Sequence, residues 1–172
     1  MRRTAPPSKG FTLIELAVVM AVVGLMLATA MPSVSDWLRN IRIRNQAESI
    51  QNGLQRARTE AVRRNQPVTF WLVSLTNSAV LNNSCSVSAT GSSWVVSLDS
   101  PVNACGATPS STTAPRLVAA HNAGDGGGTI AISASLPATT TAASSVTFDG
   151  FGRVLNVASD IQRIEISYPS TN

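Results

Sequence analysis

The stretch "FTLIELAVVMAVVGLMLATAMPSV", residues 11–34, constrains this chain more than any other part of it. Its polar side chains are Glu15 and the small Thr12, Thr29 and Ser33. A helix of this length crosses a hydrocarbon core of about 30 Å. Glu15 then lies inside that core, where an unpaired carboxylate is costly enough to require a partner or a function. Arg2, Arg3 and Lys9 precede the run and no other cation follows before Arg39. That asymmetry holds the N-terminus in the cytoplasm and sends the rest of the chain outside. Trp37, just past the run, reads as an interfacial anchor.

An ordinary cleaved secretion signal has a shorter apolar region and a small-residue cleavage site behind it. Here the run continues into "MPSVSDWLRN" without a convincing site, and "ATA" at residues 28–30, which would release a soluble domain, is a weak competitor. What remains beyond the run is enough for one modest domain with a small core.

The chain of 172 residues carries a formal charge of +4, which on its own suggests nucleic acid or an anionic surface. Its placement changes that inference. Beyond the leader, the cations crowd into one segment as Arg39, Arg42, Arg44, Arg56, Arg58, Arg63 and Arg64, against Asp36, Glu48 and Glu60. From residue 65 onward, Arg116, Arg153 and Arg163 face Asp99, Asp125, Asp149, Asp160 and Glu165. The basicity belongs to the leader and one helix, and the globular part is slightly acidic. Cys85 and Cys105 both fall outside the cytoplasm, where an oxidising compartment favours a disulfide worth roughly 3 kcal/mol; two buried thiols are the alternative.

The helical pattern does not stop at the membrane run. Ala47, Ile50, Leu54, Ala57 and Ala61 recur at spacings of three and four, which predicts one buried face with small residues toward its end. Pro67 ends the pattern near Arg64 or Asn65. The expected element is one helix from about Phe11 to Arg64, near 80 Å if fully helical. Pro32 should kink it, with Gly24 a second soft point.

Short runs rich in Val, Ile, Thr and aromatics follow: 67–75, 92–100, 115–120, 128–134, 144–150, 152–158 and 161–169. They predict an antiparallel sheet. "DGFG", 149–152, is a hairpin signal between two of them. Phe70, Trp94 and Phe148 sit in strand patterns and read as core. The Ser/Thr/Ala/Pro-rich stretches "ACGATPSSTTAP" and "ASLPATTTAAS" read as loops with little to pack.

Chemistry-bearing constellations are missing from the sequence. "HNAGDGGG", 121–128, lacks the Gly-Lys-Ser/Thr of a phosphate loop and reads as a glycine-rich turn. His121 is the single histidine, so a common zinc site cannot be assembled, and Asp125 and Asp149 lack the spaced oxygen ligands of a calcium loop. No G-x-S-x-G elbow is present. The expectation is a non-enzymatic protein with no metal and no cofactor.

"KGFTLIEL" resembles the leader and first mature residues of type IV prepilins and type II secretion pseudopilins. The resemblance implies that a prepilin peptidase cuts between Gly10 and Phe11 and methylates the new amine of Phe11. It implies that Glu15 pairs with the Phe11 amine of a neighbouring subunit, neutralising a charge buried in the growing fibre. Pro32 matches the helix break of the superfamily. "RNQAESIQNGLQRARTEAVRRNQPVTF", "SWVVSL" and "VTFDGFGRV" resemble, more narrowly, the FimT/FimU-like minor pilins and the secretion pseudopilin H group, which share one domain.

The fold implied is α+β and type IV pilin-like, a long N-terminal helix packed on an antiparallel β-sheet domain. Its parts are a leader (1–10), a transmembrane and assembly helix (11–34), an amphipathic continuation (35–64) and a globular β domain (65–172). The role implied is a minor pilin in initiation, assembly or tip capping of a type IV pilus, held in the inner membrane by one span with its globular domain in the periplasm. The alternatives are a type II secretion minor pseudopilin H and a tip subunit that binds DNA for natural transformation. "RRNQPVTF" and the intact "VTFDGFGR" look closer to the pilus proteins.

Implied partners are other minor pilins and the major pilin (or pseudopilins), the prepilin peptidase and the inner-membrane assembly platform. Double-stranded DNA is a further candidate, through Arg153, Arg163 and Arg116. Only Gly152 and Arg153 match the basic C-terminal motif of DNA-binding relatives, and nonspecific affinity scales with the phosphates neutralised, so weak binding is expected. Arg153 has a simpler use as a turn residue holding Asp149. The processing expectation is testable by intact mass: protein from its host should have lost Met1–Gly10 and gained one methyl group, whereas a mature chain beginning after Ala30 would rule it out.

Overall fold

The computed structural model describes residues 10–77, 80–126, 130–136 and 141–169, with residues 29–33 and 125–126 described by backbone alone. The leader residues 1–9 lie outside the described part. The chain divides into two compact units, Met1–Arg39 and Asn40–Asn172. Its elements run α1 (Leu13–Arg64), β1 (Val68–Leu75), β2 (Cys85–Val87), β3 (Ser93–Ser97), β4 (Leu117–His121), a single 3-10 turn (Ala123–Gly126), β5 (Ala131–Ser135), β6 (Ser145–Phe148) and β7 (Arg163–Ser167).

Helix α1 starts where the sequence supplies a cap. The Glu15 N–H donates to Thr12 Oγ1 at 3.3 Å, so Thr12 satisfies one of the donors that a helix start leaves unpaired. The helix continues through position 32, so Pro32 does not end it; the Pro32 ring, on which the expected kink depends, lies outside the described residues. The described large apolar side chains of the first unit, from Phe11 to Leu27, are exposed. Among the described residues no helix is long and apolar enough to cross a membrane. Side chains 29–33 are not among them, so the described apolar stretch stops at Ala28, whereas in the sequence it continues to Val34.

In the second unit the helix buries Gln46, Ile50, Gly53, Ala57 and Ala61 and half-buries Leu54. This corrects the expected face at one end: Ala47 is exposed, and Gln46 turns inward to donate its Nε2 to the Ser92 carbonyl at 2.7 Å. Gly53 completes the stripe for a steric reason. A Cβ there would come within 2.7 Å of Phe70 Cε2 and 3.0 Å of the Trp94 ring, so the missing side chain lets the helix backbone rest on two aromatics. Trp94 is fixed further by its Nε1–H donating to Ser49 Oγ at 2.9 Å.

The larger sheet is antiparallel and has β1 at its centre, paired with β3 along one edge and with β6 and β2 along the other, while β4 adds to β3. β5 and β7 form a separate two-stranded sheet. Alternation along β1 sends Val68, Phe70 and Leu72 toward the helix, into a core shared with Trp94, Val96, Val146, Phe148, Ile132 and Ile161. Val73 faces the other way, into a smaller cluster with Val95, Leu117, Cys85 and Cys105. The Cys85–Cys105 disulfide closes this second layer over the sheet. Each fully buried Val, Leu or Phe contributes about 1.5–3 kcal/mol.

Two expectations are corrected. The segment around Cys105 is not a loop with little to pack: Pro101, Cys105 and Pro115 are buried against the second face. That double cover makes β1 and β3 read as nearly continuous apolar runs. Residues 152–158 form no strand but a sequence of turns with one bridge, Phe148 to Val154. Its exposed Val154, Leu155 and Val157 have no layer to alternate against.

The Gly53 contact predicts the sign of a substitution. Ala favours an exposed helix interior over Gly by about 1 kcal/mol, yet Gly53→Ala should destabilise the protein, by about 1–3 kcal/mol, because ring atoms in a packed core must shift. Chemical denaturation followed by tryptophan fluorescence measures it; a stabilised variant would mean that the helix does not sit on the rings.

Candidate functional site

Three regions hold the residues singled out by sequence. The first is the helix start. Gly10 and Phe11 precede the helix and are exposed, so the Gly10–Phe11 peptide bond is not enclosed by the described fold. Glu15 stands in the first turn, where a carboxylate meets the favourable end of the helix dipole. Its side chain has no hydrogen-bond or ion-pair partner among the described residues. The Thr12–Glu15 spacing is a helix-start signature, legible in "TLIE" but overshadowed by the membrane reading.

The second region is the set of C-terminal arginines, and each one has its own carboxylate. Arg116 donates through Nε and Nη2 to Asp99 at 2.8 and 2.6 Å. Arg153 donates through Nε and Nη2 to Asp149 Oδ2 at 3.1 and 2.9 Å. Arg163 pairs with Glu165 on β7. The Arg116 hydrogen bond holds the Asp99 carboxyl below its ordinary range, desolvation opposes this, and the Arg116 charge adds to the lowering. These pairs leave little net positive charge on the sheet domain. The unpaired cations lie on the helix: among the described residues Arg44, Arg56 and Arg58 have no ion-pair partner, while Arg63 and Arg64 share Glu60.

The third region is the hairpin after β6, built around Asp149. Its Oδ1 accepts the N–H groups of Phe151 and Arg153, both at 2.9 Å, and its own N–H donates to the Arg153 carbonyl at 2.9 Å. Gly152 supplies the positive φ, 75°, that closes the turn, and its N–H donates to the Asp149 carbonyl at 2.8 Å. The Arg153 guanidinium lies 5.1 Å from the Phe151 ring centroid. Gly152 sits against the helix, where a Cβ would meet Arg58 Nε and Val62 Cγ2 at 3.1 Å each. Sequence singled out "DGFG" and Arg153; it did not bring in Arg58 and Val62, because nothing in their spacing says which face of the helix the hairpin covers.

A polar groove of about 350 Å³ separates helix and sheet elsewhere, lined by Asn45, Glu48, Ser49, Asn52, Trp94 and His121. The Trp94 ring is buried, tilted against Phe70 at 5.8 Å and stacked on His121 at 5.6 Å, so it offers no free platform. Among the described residues no three His, Cys, Asp or Glu side chains could hold a metal ion.

Asp149 makes the hairpin pH-dependent. The Arg153 N–H, then the Arg153 side chain and the Phe151 N–H, hold its pKa below the ordinary carboxylate value, while desolvation works the other way. With the folded pKa depressed, the stabilisation is complete above the unfolded value and lost as pH falls through the folded one. Protection factors of the Phe151 and Arg153 amides should therefore fall on acidification below about pH 4, and Asp149→Asn should remove that dependence. Protection unchanged by acid in the wild-type chain would count against it.

Comparison with known proteins places these features in a family. The family described as type II transport protein GspH matches residues 46–172, and the prokaryotic N-terminal methylation motif matches residues 6–31. No curated protein and no solved structure matches the chain. The motif covers Gly10, Phe11 and Glu15, and the larger match covers the packed half of the helix and all seven strands. With most of its length matched, the chain belongs to the GspH family of minor pilins and pseudopilins and carries an N-terminal methylation motif.

Proposed function

We propose that the chain is a minor subunit of a type IV pilus-like fibre, processed between Gly10 and Phe11, methylated on Phe11 and held in the inner membrane by residues 11–34 until assembly. Its globular part then stands in the periplasm. The observation that carries this reading is the split in burial along one helix. Between residues 46 and 61 the helix is packed into a core, whereas Phe11, Leu13, Ile14, Leu16 and the following large apolar residues are exposed. Such a surface requires lipid, or the same helices of neighbouring subunits.

Glu15 fits that use. An exposed carboxylate at the head of an apolar helix is expensive in hydrocarbon, and among the described residues of its own chain it has no side-chain partner. The methylated amine of Phe11 on an adjacent subunit supplies the opposite charge. A hydrophobe of similar size would pack as well but would not select the axial register. The role is structural: initiating, extending or capping the fibre beside other minor subunits, on the assembly platform of the inner membrane.

A second reading, a minor pseudopilin of a type II secretion apparatus, is favoured by the description of the matched family itself. Deleting the gene separates the two, since one predicts loss of surface pili and the other accumulation of secreted enzymes in the periplasm. Capture of DNA is disfavoured by the local pairing of Arg116, Arg153 and Arg163 with carboxylates.

Glu15→Ala tests the assembly reading. The variant should insert in the membrane at least as well as the wild type, because a charge is removed, while its recovery from sheared fibres falls by an order of magnitude or more. Wild-type recovery of the variant in fibres would reject the pairing.

A further inference from the structure

Exposed apolar surface on the globular part is concentrated at one place. In the turn-rich stretch after β6, Phe151 is 77% exposed, Val157 59%, Leu155 51% and Val154 38%. Val62 of α1, 52% exposed, adjoins Gly152 at the tip of the same hairpin. Among the described residues, the other large apolar side chains exposed on this part, Val80 and Val102, stand on separate loops. Single exposed apolar residues are ordinary, whereas a group of them marks a contact surface.

The group is held rigid before anything binds. Asp149 fixes the tip through two backbone N–H groups and the Arg153 side chain, Arg153 in turn covers Phe151, and the Leu155 N–H donates to the Thr147 carbonyl at 2.8 Å. A preorganised apolar knob loses little conformational entropy on docking. One free cation stands beside it. Arg58, whose Nε would lie 3.1 Å from a Cβ at Gly152, has no ion-pair partner among the described residues. Of the carboxylates in the same stretch, Asp149 is engaged by Arg153, and Asp160 is buried and accepts the Thr147 N–H.

We propose that this knob, Phe151 to Val157 together with Val62, docks into another pilin-like subunit of the same fibre, at an apolar depression rimmed by Asp and Glu side chains. The proposal rests on the fibre-subunit reading above. Charge complementarity requires carboxylates from the partner. A second copy of this chain does not provide them in the needed form: Glu165 is paired with Arg163, Asp99 with Arg116, and Glu48 lines a groove of Asn45, Ser49 and Asn52. DNA would meet an apolar tip whose one arginine is already neutralised.

Photocrosslinking in the intact host tests this. A benzophenone amino acid is placed at Phe151 of the full-length chain, and at Val102 as a control, and adducts are identified by mass spectrometry. The expected adduct joins Phe151 to a different chain that carries its own N-terminal methylation motif, about thirtyfold above the Val102 signal, as for a buried aromatic anchor. Arg58→Glu should lower it about tenfold, and exchanging the facing carboxylate of the partner for Arg should restore it. Leu155→Glu, at an exposed position, should lower it likewise with the melting temperature and the Cys85–Cys105 bond unchanged. An adduct to a second copy, to DNA or to lipid, or none above the control, overturns the proposal. The same cells are scored for the chain in sheared fibres: its presence there without the Phe151 adduct rejects the knob alone, and its absence rejects the fibre reading and the knob with it.

Discussion

The fold depends on how closely the helix can approach the sheet. At Gly53 the helix backbone lies on the edges of Phe70 and Trp94, and Ala57 and Ala61 continue the same low profile one and two turns later. Small residues on the helix and large ones on the strands interlock, so the aromatic bulk comes from the sheet alone. The consequence is a helix whose remaining faces stay clear of the core. Arg58 and Val62 flank one side of the buried stripe, and the Asn45, Ser49 and Asn52 groove flanks the other. One element can therefore serve as core on one stripe and as surface elsewhere.

Much of this was legible in the residues. The long helix, the positions along the chain of strands β1, β3, β4, β5, β6 and β7, and the turn at "DGFG" follow from periodicity and turn chemistry, whereas the order of the strands within the sheets does not. The errors have physical causes. The predicted face of Ala47, Ile50, Leu54, Ala57 and Ala61 leaves out Gly53, because propensity counts the missing side chain as a loss, whereas packing uses the space. It leaves out Gln46 as well, because the inward hydrogen bond of that side chain to the Ser92 carbonyl is a tertiary event. Residues 152–158 carry the composition of a strand without a partner to pair with along their length. β2, three residues long, is defined by its pairing with β1 and by the disulfide rather than by any apolar pattern.

Electrostatics divides the molecule in the opposite sense to hydropathy. The sheet domain neutralises its described arginines locally, as Arg116 with Asp99 and Arg153 with Asp149, so these residues present no concentrated field that would draw a polyanion. The N-terminal segment does the reverse and leaves Glu15 without a side-chain partner among the described residues. Salt bridges at exposed sites add little stability, so the value of the local pairs lies in geometry. Asp149 is the clearest case, since most of its hydrogen bonds go to the hairpin that it shapes.

That geometry explains why an arginine stands beside an exposed phenylalanine. Left free, the Arg153 side chain would sweep a wide volume and lose conformational entropy on any contact. Tied to Asp149 and with its guanidinium over the Phe151 ring, it is already ordered and covers part of the apolar tip. The neighbouring Arg58 has no such tie among the described residues and keeps its charge available to a partner. The hairpin thus separates two functions that one residue type can serve: Arg153 is spent on shape, and Arg58 remains for recognition.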